Sequence, residues 1–134
     1  MNRRDLDLRA AINGSSGGGV FLLSTWSEPT INKNPFPDFI LGDNDGKSSN
    51  KIFINSALTS LKNSDFNVTH NTPFKGGYLT RSKGDKENNI NALQLEMSKD
   101  LYMSNNDTKY DNKKADKIKN YLENIFKNII NFTF

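Results

Sequence analysis

The C-terminal stretch of the sequence constrains the fold more than any other segment. Its apolar side chains recur at the three- and four-residue spacing of one helical face, and lysines occupy the opposite side. The apolar positions are Ala115, Ile118, Tyr121, Leu122, Ile125, Phe126, Ile129 and Ile130. Asp111 or Asn112 can cap this helix. A helix of this length needs an extended apolar surface to cover, so the pattern predicts that it packs on one side of a sheet.

Strands for that sheet are predicted in the preceding part of the chain. Short apolar or alternating runs occur at 20–23, 39–41, 66–70 and 90–97. A second helix is predicted from Asn50 to Leu61, where apolar residues recur mostly three or four apart. From Phe74 to Arg81 we predict a Gly-Gly bend followed by another β-prone run. Strands separated by helices of this length indicate an α/β fold with an at least partly parallel sheet.

Length and local composition predict how the chain is divided. Its 134 residues suit one modest domain. Residues 1–19 are polar and end in a run of glycine and serine, so we expect a flexible N-terminal segment there. The α/β domain is then expected to occupy residues 20–134.

Composition and charge exclude several classes of protein. The chain has no cysteine and one histidine, which excludes disulfides, thiolate chemistry and any metal site built on two or more histidines. The net charge is +3, but acidic residues are interleaved with the basic ones, so no nucleic-acid partner is indicated. No apolar run approaches the length of a signal core or a membrane span. We therefore expect no membrane partner and a cytoplasmic location.

The loop from Asn71 to Tyr78 is a candidate ligand-binding segment. It combines a conformationally restricted residue before proline, an aromatic side chain and the adjacent glycines Gly76 and Gly77. Two adjacent glycines let the backbone approach a ligand closely. The alternative is an ordinary turn that joins two strands.

Two charged side chains and one imidazole are candidates for chemistry. Arg81 could bind a substrate carboxylate through two parallel hydrogen bonds, or it could be a solvated surface charge. Glu96 lies on the opposite strand face from Leu93 and Leu95 and is a candidate general base, because partial burial makes a carboxylate take up a proton more readily. Alternatively, Glu96 lies exposed in the first turn of a following helix. His70 is assigned no role.

From Pro37 to Met103, the sequence resembles the N-formylglutamate amidohydrolase family. Three blocks carry the resemblance, and they occur in the family's order and approximate spacing. They are PDFILGD at 37–43, NTPFKGGYLTR at 71–81, and NALQLEM at 91–97 continuing to LYM at 101–103. The C-terminal helix also looks like the closing helix of this family.

The resemblance implies a zinc-dependent hydrolase that cleaves N-formyl-L-glutamate to formate and glutamate in histidine degradation. In such enzymes a metal-bound water attacks the amide carbon while a carboxylate handles its protons. The implied fold is a partial three-layer α/β/α arrangement with a mixed, partly parallel sheet, resembling the C-terminal half of a zinc-carboxypeptidase-like (phosphorylase/hydrolase-like) fold. By this resemblance Glu96 is the catalytic carboxylate, Arg81 binds the substrate, and Asn71, Gly76 and Gly77 belong to the pocket wall.

The sequence departs from the family at the metal ligands. The family's zinc ligands, two histidines and a glutamate, lie mostly in an N-terminal half without a counterpart here. An Asp-x-His-Ser element normally precedes the first block, but Ser24 and Trp26 stand at its Asp and His positions, and indole cannot bind zinc. The resemblance thus implies an incomplete domain that holds no metal or cofactor of its own.

These features lead to one principal hypothesis and two alternatives. The principal one is a truncated family member, inactive as an isolated chain, that acts on a small acidic substrate only with a partner carrying the missing half, or self-associates. The first alternative is a non-catalytic module that binds a small acidic amino acid or a partner protein. The second is an interaction protein whose basic C-terminal helix binds acidic lipids or a partner groove.

Overall fold

The computed structural model describes residues 8–14, 17–26 and 37–133, with side chains described for 37–129. A five-stranded mixed sheet has the order β1-β2-β5-β3-β4. Its strands are β1 (Leu8–Gly14), β2 (Gly17–Trp26), β3 (Phe39–Gly42), β4 (Val68–His70) and β5 (Asn91–Ser98). Strand β5 runs parallel to β2 and antiparallel to β3, β4 runs parallel to β3, and β1 runs antiparallel to β2.

Three α-helices accompany this sheet in the described part of the chain. They are α1 (Lys51–Lys62), α2 (Tyr78–Lys83) and α3 (Asn112–Thr133). A 3-10 turn at Lys99–Leu101 leads into a small hairpin of β6 (Met103–Ser104) and β7 (Lys109–Tyr110). The fold is therefore mixed α/β with a mixed sheet. None of the helices described here combines the length and the apolar character needed to cross a bilayer.

The hydrophobic core lies between one face of the sheet and the helices α1 and α3. From the sheet it takes Phe39 and Leu41 of β3 and three residues of β5, which are Leu93, Leu95 and Met97. From the helices it takes apolar positions of both periodic faces. The helical residues are Phe53, Ile54, Ala57, Leu61, Ile118, Leu122, Ile125 and Ile129. Asp111 caps α3 by accepting a hydrogen bond from the Lys114 backbone N–H at 3.1 Å. The structure thus confirms that the C-terminal helix packs on a sheet, while the side chain of Ile130 lies outside the described residues.

The opposite face of β5 carries the even-numbered residues. Gln94 and Glu96 are only partly buried, whereas Leu93, Leu95 and Met97 belong to the core. This alternation confirms the predicted strand at 90–97, and it rules out the alternative that places Glu96 in a helical turn. The short helix α2 packs over this second face, so helices lie on both sides of the sheet.

The structure differs from the sequence-based prediction in two segments. Where we predict a β-prone run after the Gly-Gly bend, the chain forms α2, which begins after Gly77. The helical turn allows the Thr80 hydroxyl to bond Gln94 on the sheet, a tertiary contact that local strand propensity does not contain. Within the predicted flexible segment 1–19, residues 8–14 and 17–19 lie in strands, and residues 1–7, 15 and 16 lie outside the described residues. Gly17 and Gly18 at the start of β2 pair with β1, and Gly19 pairs with both β1 and β5.

Candidate active site

The ends of β3 and β4 place Asp43 beside Asn71. Because the two strands are parallel, their carboxyl ends meet at one edge of the sheet. The Asn71 side chain accepts a hydrogen bond from the Asp43 backbone N–H at 3.0 Å and donates to Asp43 Oδ1 at 2.6 Å. Asn71 has a backbone φ of 57°, a left-handed conformation that asparagine tolerates better than most residues. This reciprocal pair ties the start of the 71–78 loop to the end of β3.

His70 is a partner of the same buried carboxylate. Its Nε2 lies 3.0 Å from Asp43 Oδ1, and the Asp43 side chain is only 1% exposed whereas that of His70 is 35% exposed. The Asp43 carboxylate also accepts the Gly46 backbone N–H at 3.0 Å. The Asn71 side-chain nitrogen also lies 3.0 Å from Nε2, so His70, Asn71 and Asp43 form one polar cluster at the ends of β3 and β4.

The glycine loop packs directly against the end of β3. A Cβ on Gly42 would come within 2.7 Å of the Gly76 nitrogen and the Lys75 carbonyl carbon, so only glycine fits there without movement of backbone. The Asn44 backbone N–H donates to the Lys75 carbonyl at 2.8 Å, and Lys75 Nζ pairs with Asp45 Oδ2 at 2.7 Å. Gly76 has a φ of 111°, which favours glycine. The loop is therefore held by backbone contacts rather than being a free turn.

Gln94 connects the glycine loop to Glu96. Its side-chain oxygen accepts the Gly77 backbone N–H at 2.5 Å and the Thr80 hydroxyl at 3.2 Å. Its side-chain nitrogen donates to the Glu96 carboxylate. The loop, helix α2 and the predicted catalytic carboxylate thus share one hydrogen-bonded network on the second face of the sheet.

Arg81 lies in α2, close to the same loop. Its Nη1 donates to the Gly76 carbonyl oxygen at 3.0 Å, and the residue is exposed. This contact holds one edge of the guanidinium beside the glycine loop. Arg81 is thus an exposed charge that contacts the glycine loop.

The backbone register also brings Ser24 beside Glu96. Parallel pairing of β2 with β5 aligns Ser24 with Glu96 and Trp26 with Ser98. The two positions at which the sequence departs from the family's Asp-x-His-Ser element thus lie on the strand next to the candidate carboxylate.

The donor atoms of this region do not fit a zinc centre. Within the part of the chain that the structure describes, no three His, Cys, Asp or Glu side chains are grouped so that they could hold one metal ion. The sequence contains a single histidine and no cysteine. Protein zinc sites normally use at least three such ligands. We therefore derive no chemistry of this chain from a metal ion.

The fold brings all the predicted site residues into one connected region. Asn71, Gly76, Gly77, Arg81 and Glu96 are linked through the loop and Gln94. Sequence reasoning missed Asp43, Thr80 and Gln94 as members of this region. Gln94 shares the strand face of Glu96 and was accessible from the alternation of β5. Asp43 lies in the turn-rich stretch 42–46, where nothing local indicates a buried carboxylate.

Comparisons with known proteins identify the kind of chain that carries this fold. The crystal structure of N-formylglutamate amidohydrolase from Ralstonia eutropha JMP134 is similar with a TM-score of 0.67 and 21% identity, over 84% of this chain and 41% of that one. The chain therefore shares the α/β fold of that part of the Ralstonia protein. N-formylglutamate deformylase from Pseudomonas putida is 32% identical over 76 residues, which are 56% of this chain and 28% of that protein.

A family model described as N-formylglutamate amidohydrolase matches residues 5–103. The chain therefore belongs to the N-formylglutamate amidohydrolase family. It spans less than half the length of each of the two relatives.

Proposed function

We propose that this chain supplies the substrate-binding and proton-handling part of an N-formylglutamate amidohydrolase, which releases formate and glutamate from N-formyl-L-glutamate. The observation that carries the proposal is the network around Gln94, which connects Glu96 to the Gly76–Gly77 loop. Family membership supports the substrate class, since both relatives are named for N-formylglutamate. The same proposal includes a cytoplasmic location, a role in histidine degradation and a zinc-carboxypeptidase-like ancestry of the fold.

The chain's own residues suit two parts of such a reaction. Arg81 is exposed beside the loop, and its guanidinium geometry matches a carboxylate, of which N-formylglutamate has two. Glu96 is a partly buried carboxylate held by an amide donor, so it can accept a proton in a defined direction and return it to the leaving nitrogen. Asn71 and Asp43 keep the loop between these groups in place.

We further propose that the metal ligands come from a second polypeptide. The described residues offer no three-ligand group, and the whole sequence has one histidine. Hydrolysis by the isolated chain is therefore not expected. A partner that carries the two histidines and the glutamate of the family would complete the site.

Formate release tests this proposal directly. The purified chain is assayed with N-formyl-L-glutamate alone and after mixing with a separately produced N-terminal half of a family amidohydrolase, and bound zinc is measured in each sample. We expect little zinc and no formate from the chain alone, and formate from the mixture. The added half assayed alone controls for its own activity, and the Glu96→Gln variant in the same mixture tests the role of Glu96.

Each other outcome contradicts a stated part of the proposal. Chelator-sensitive formate release by the chain alone would disprove the need for a second polypeptide. No formate from the mixture, together with calorimetric binding of glutamate, would replace the enzyme hypothesis with a binding module. Formate release that Glu96→Gln leaves unchanged would remove the catalytic role of Glu96.

A further inference from the structure

The orientation of the Gln94 carboxamide is determined by its neighbours. The Gly77 backbone N–H can only donate, so the Gln94 atom 2.5 Å away must be the oxygen. The Thr80 hydroxyl donates to that same oxygen at 3.2 Å. The side-chain nitrogen therefore points to the Glu96 carboxylate and donates to it. A flip of the amide would put a donor against the Gly77 N–H and an acceptor against a carboxylate.

The groups at both ends of this bridge are held by the fold. Gln94 pairs with Gly42 of β3 on one side and with Leu22 of β2 on the other. Thr80 is fully buried, and a Cβ on Gly76 would lie within 2.8 Å of its methyl group. A shift of the glycine loop would therefore press on Thr80 and move the two donors that hold the Gln94 oxygen.

We propose that Gln94 is a positioning residue, which sets the direction of the Glu96 carboxylate according to the position of the Gly76–Gly77 loop. A ligand that moves the loop would thus change the orientation of the proton-accepting oxygen. The inference rests on the proposed function, which gives Glu96 its catalytic role. The coupling between the glycine loop and the Glu96 carboxylate is a property of the chain and can be measured without an activity assay.

Glutamine-selective labelling gives a direct measurement, because Gln94 is the only glutamine in the sequence. In NMR spectra of the full chain, we follow its side-chain amide protons in the wild type and in Glu96→Met. Hydrogen bonds to a carboxylate are stronger than neutral ones, so loss of Glu96 should shift one amide proton upfield. Glu87→Met, which removes an exposed turn carboxylate, is the matched control and should leave the signal in place.

A second measurement tests whether the loop side of the bridge controls Glu96. Thr80→Val keeps the shape of the side chain but removes the hydroxyl donor, and the readout is the Glu96 carboxyl carbon signal in glutamate-labelled protein. We expect this signal to move in Thr80→Val and to return to its wild-type position in Thr80→Ser, which restores a hydroxyl. Thr59→Val on the exposed side of α1 should have no effect.

A purely structural role for Gln94 predicts a different pattern. If Gln94 has only a structural role, Thr80→Val changes the stability of the protein but leaves the Glu96 carboxyl carbon signal in its wild-type position. That result would overturn the proposal. An unchanged Gln94 amide signal in Glu96→Met would overturn it as well.

Kinetics in the reconstituted mixture add a functional test. Gln94→Leu should lower kcat about 100-fold, the scale of a misplaced catalytic group, with little change in KM. Unchanged kcat would contradict the positioning role. If even the wild-type mixture releases no formate, the proposed function fails while the two NMR measurements still decide the coupling.

Discussion

Asp43 and Asn71 hold each other through two hydrogen bonds across the ends of the parallel strands β3 and β4. The asparagine accepts from the aspartate backbone at 3.0 Å and donates to its carboxylate at 2.6 Å. The carboxylate is almost fully buried, so losing any one of its donors leaves the buried charge less well compensated. The pair fixes where the candidate ligand loop begins.

Replacing Asn71 by alanine should therefore destabilise the protein by about 2–3 kcal/mol. The variant removes a donor from a buried carboxylate and puts alanine at a φ of 57°. Urea unfolding followed by circular dichroism measures the loss. Asn71→Gly relieves the backbone strain and should recover about 1 kcal/mol of it. Asn55→Ala, on the exposed side of α1, is the control, and an equal effect in that variant would contradict the interpretation.

Gly42→Ala should separate the glycine loop from β3. The new Cβ would lie within 2.7 Å of the Gly76 nitrogen, so backbone must move, at about 1–3 kcal/mol. Amide exchange at Asn44 reports the separation, because its N–H donates to Lys75 across this contact. In Gly46→Ala the new Cβ would have no atom within 4 Å, but the backbone φ of +78° is unfavourable for alanine. This variant should therefore lower stability while the Asn44 amide stays protected from exchange. Slow Asn44 exchange in Gly42→Ala would show that the loop tolerates the methyl group.

Arg81→Lys should weaken binding of N-formyl-L-glutamate about tenfold. Lysine keeps the positive charge but loses the planar pair of donors that matches a carboxylate, a difference of about 1.4 kcal/mol. Isothermal titration calorimetry on the full chain provides the affinity. Lys83→Ala removes a charge from the same helix and is the control. If net charge alone attracts the ligand, Arg81→Lys should leave the affinity unchanged while Lys83→Ala weakens it, and that result would contradict the prediction.

Stability should fall at alkaline pH because of Tyr121. Burial raises the pKa of its phenol above the ordinary value of 10.0, although the Ser64 hydrogen bond opposes the shift. The folded state disfavours the phenolate, so this stabilisation is complete below the unfolded-state pKa and is lost as pH rises through the folded-state pKa. Chemical unfolding between pH 9 and pH 12 should therefore show that the free energy of unfolding declines more steeply above about pH 10, with a slope of at most about 1.4 kcal/mol per pH unit for one ionised group.

The tyrosine variants identify the responsible group. Tyr121→Phe should be less stable at neutral pH, because it loses the tyrosine hydroxyl that donates to the Leu61 carbonyl at 2.7 Å. The stability of this variant should depend less on pH in the alkaline range. Tyr78→Phe, at a side chain that is 73% exposed, should retain the full dependence. The same decline in Tyr121→Phe and the wild type would assign the titration to another group.

Local patterns predicted the parts of the fold that depend on neighbouring residues. The spacing of Ile118, Leu122 and Ile125 specified which face of α3 is buried, and the alternation around Leu93 and Leu95 put Glu96 on the other face of β5. Helix α2 was not predicted, and its Thr80 contacts Gln94, fourteen residues further along the chain, which no local pattern contains. The glycines and β-prone residues at 76–80 locally favour a bend followed by a strand.

By itself, the sequence determined which faces of its helices and strands are apolar, that a zinc centre lacks imidazoles, and which family the three blocks resemble. These properties follow from side-chain chemistry and from the helical and strand periods, which act over a few residues. Only the tertiary structure decided that Asp43 bonds Asn71 and that Gln94 bonds Gly77. These partners are 28 and 17 residues apart, so the order of the strands and the path of the connecting loop determine which polar groups become neighbours.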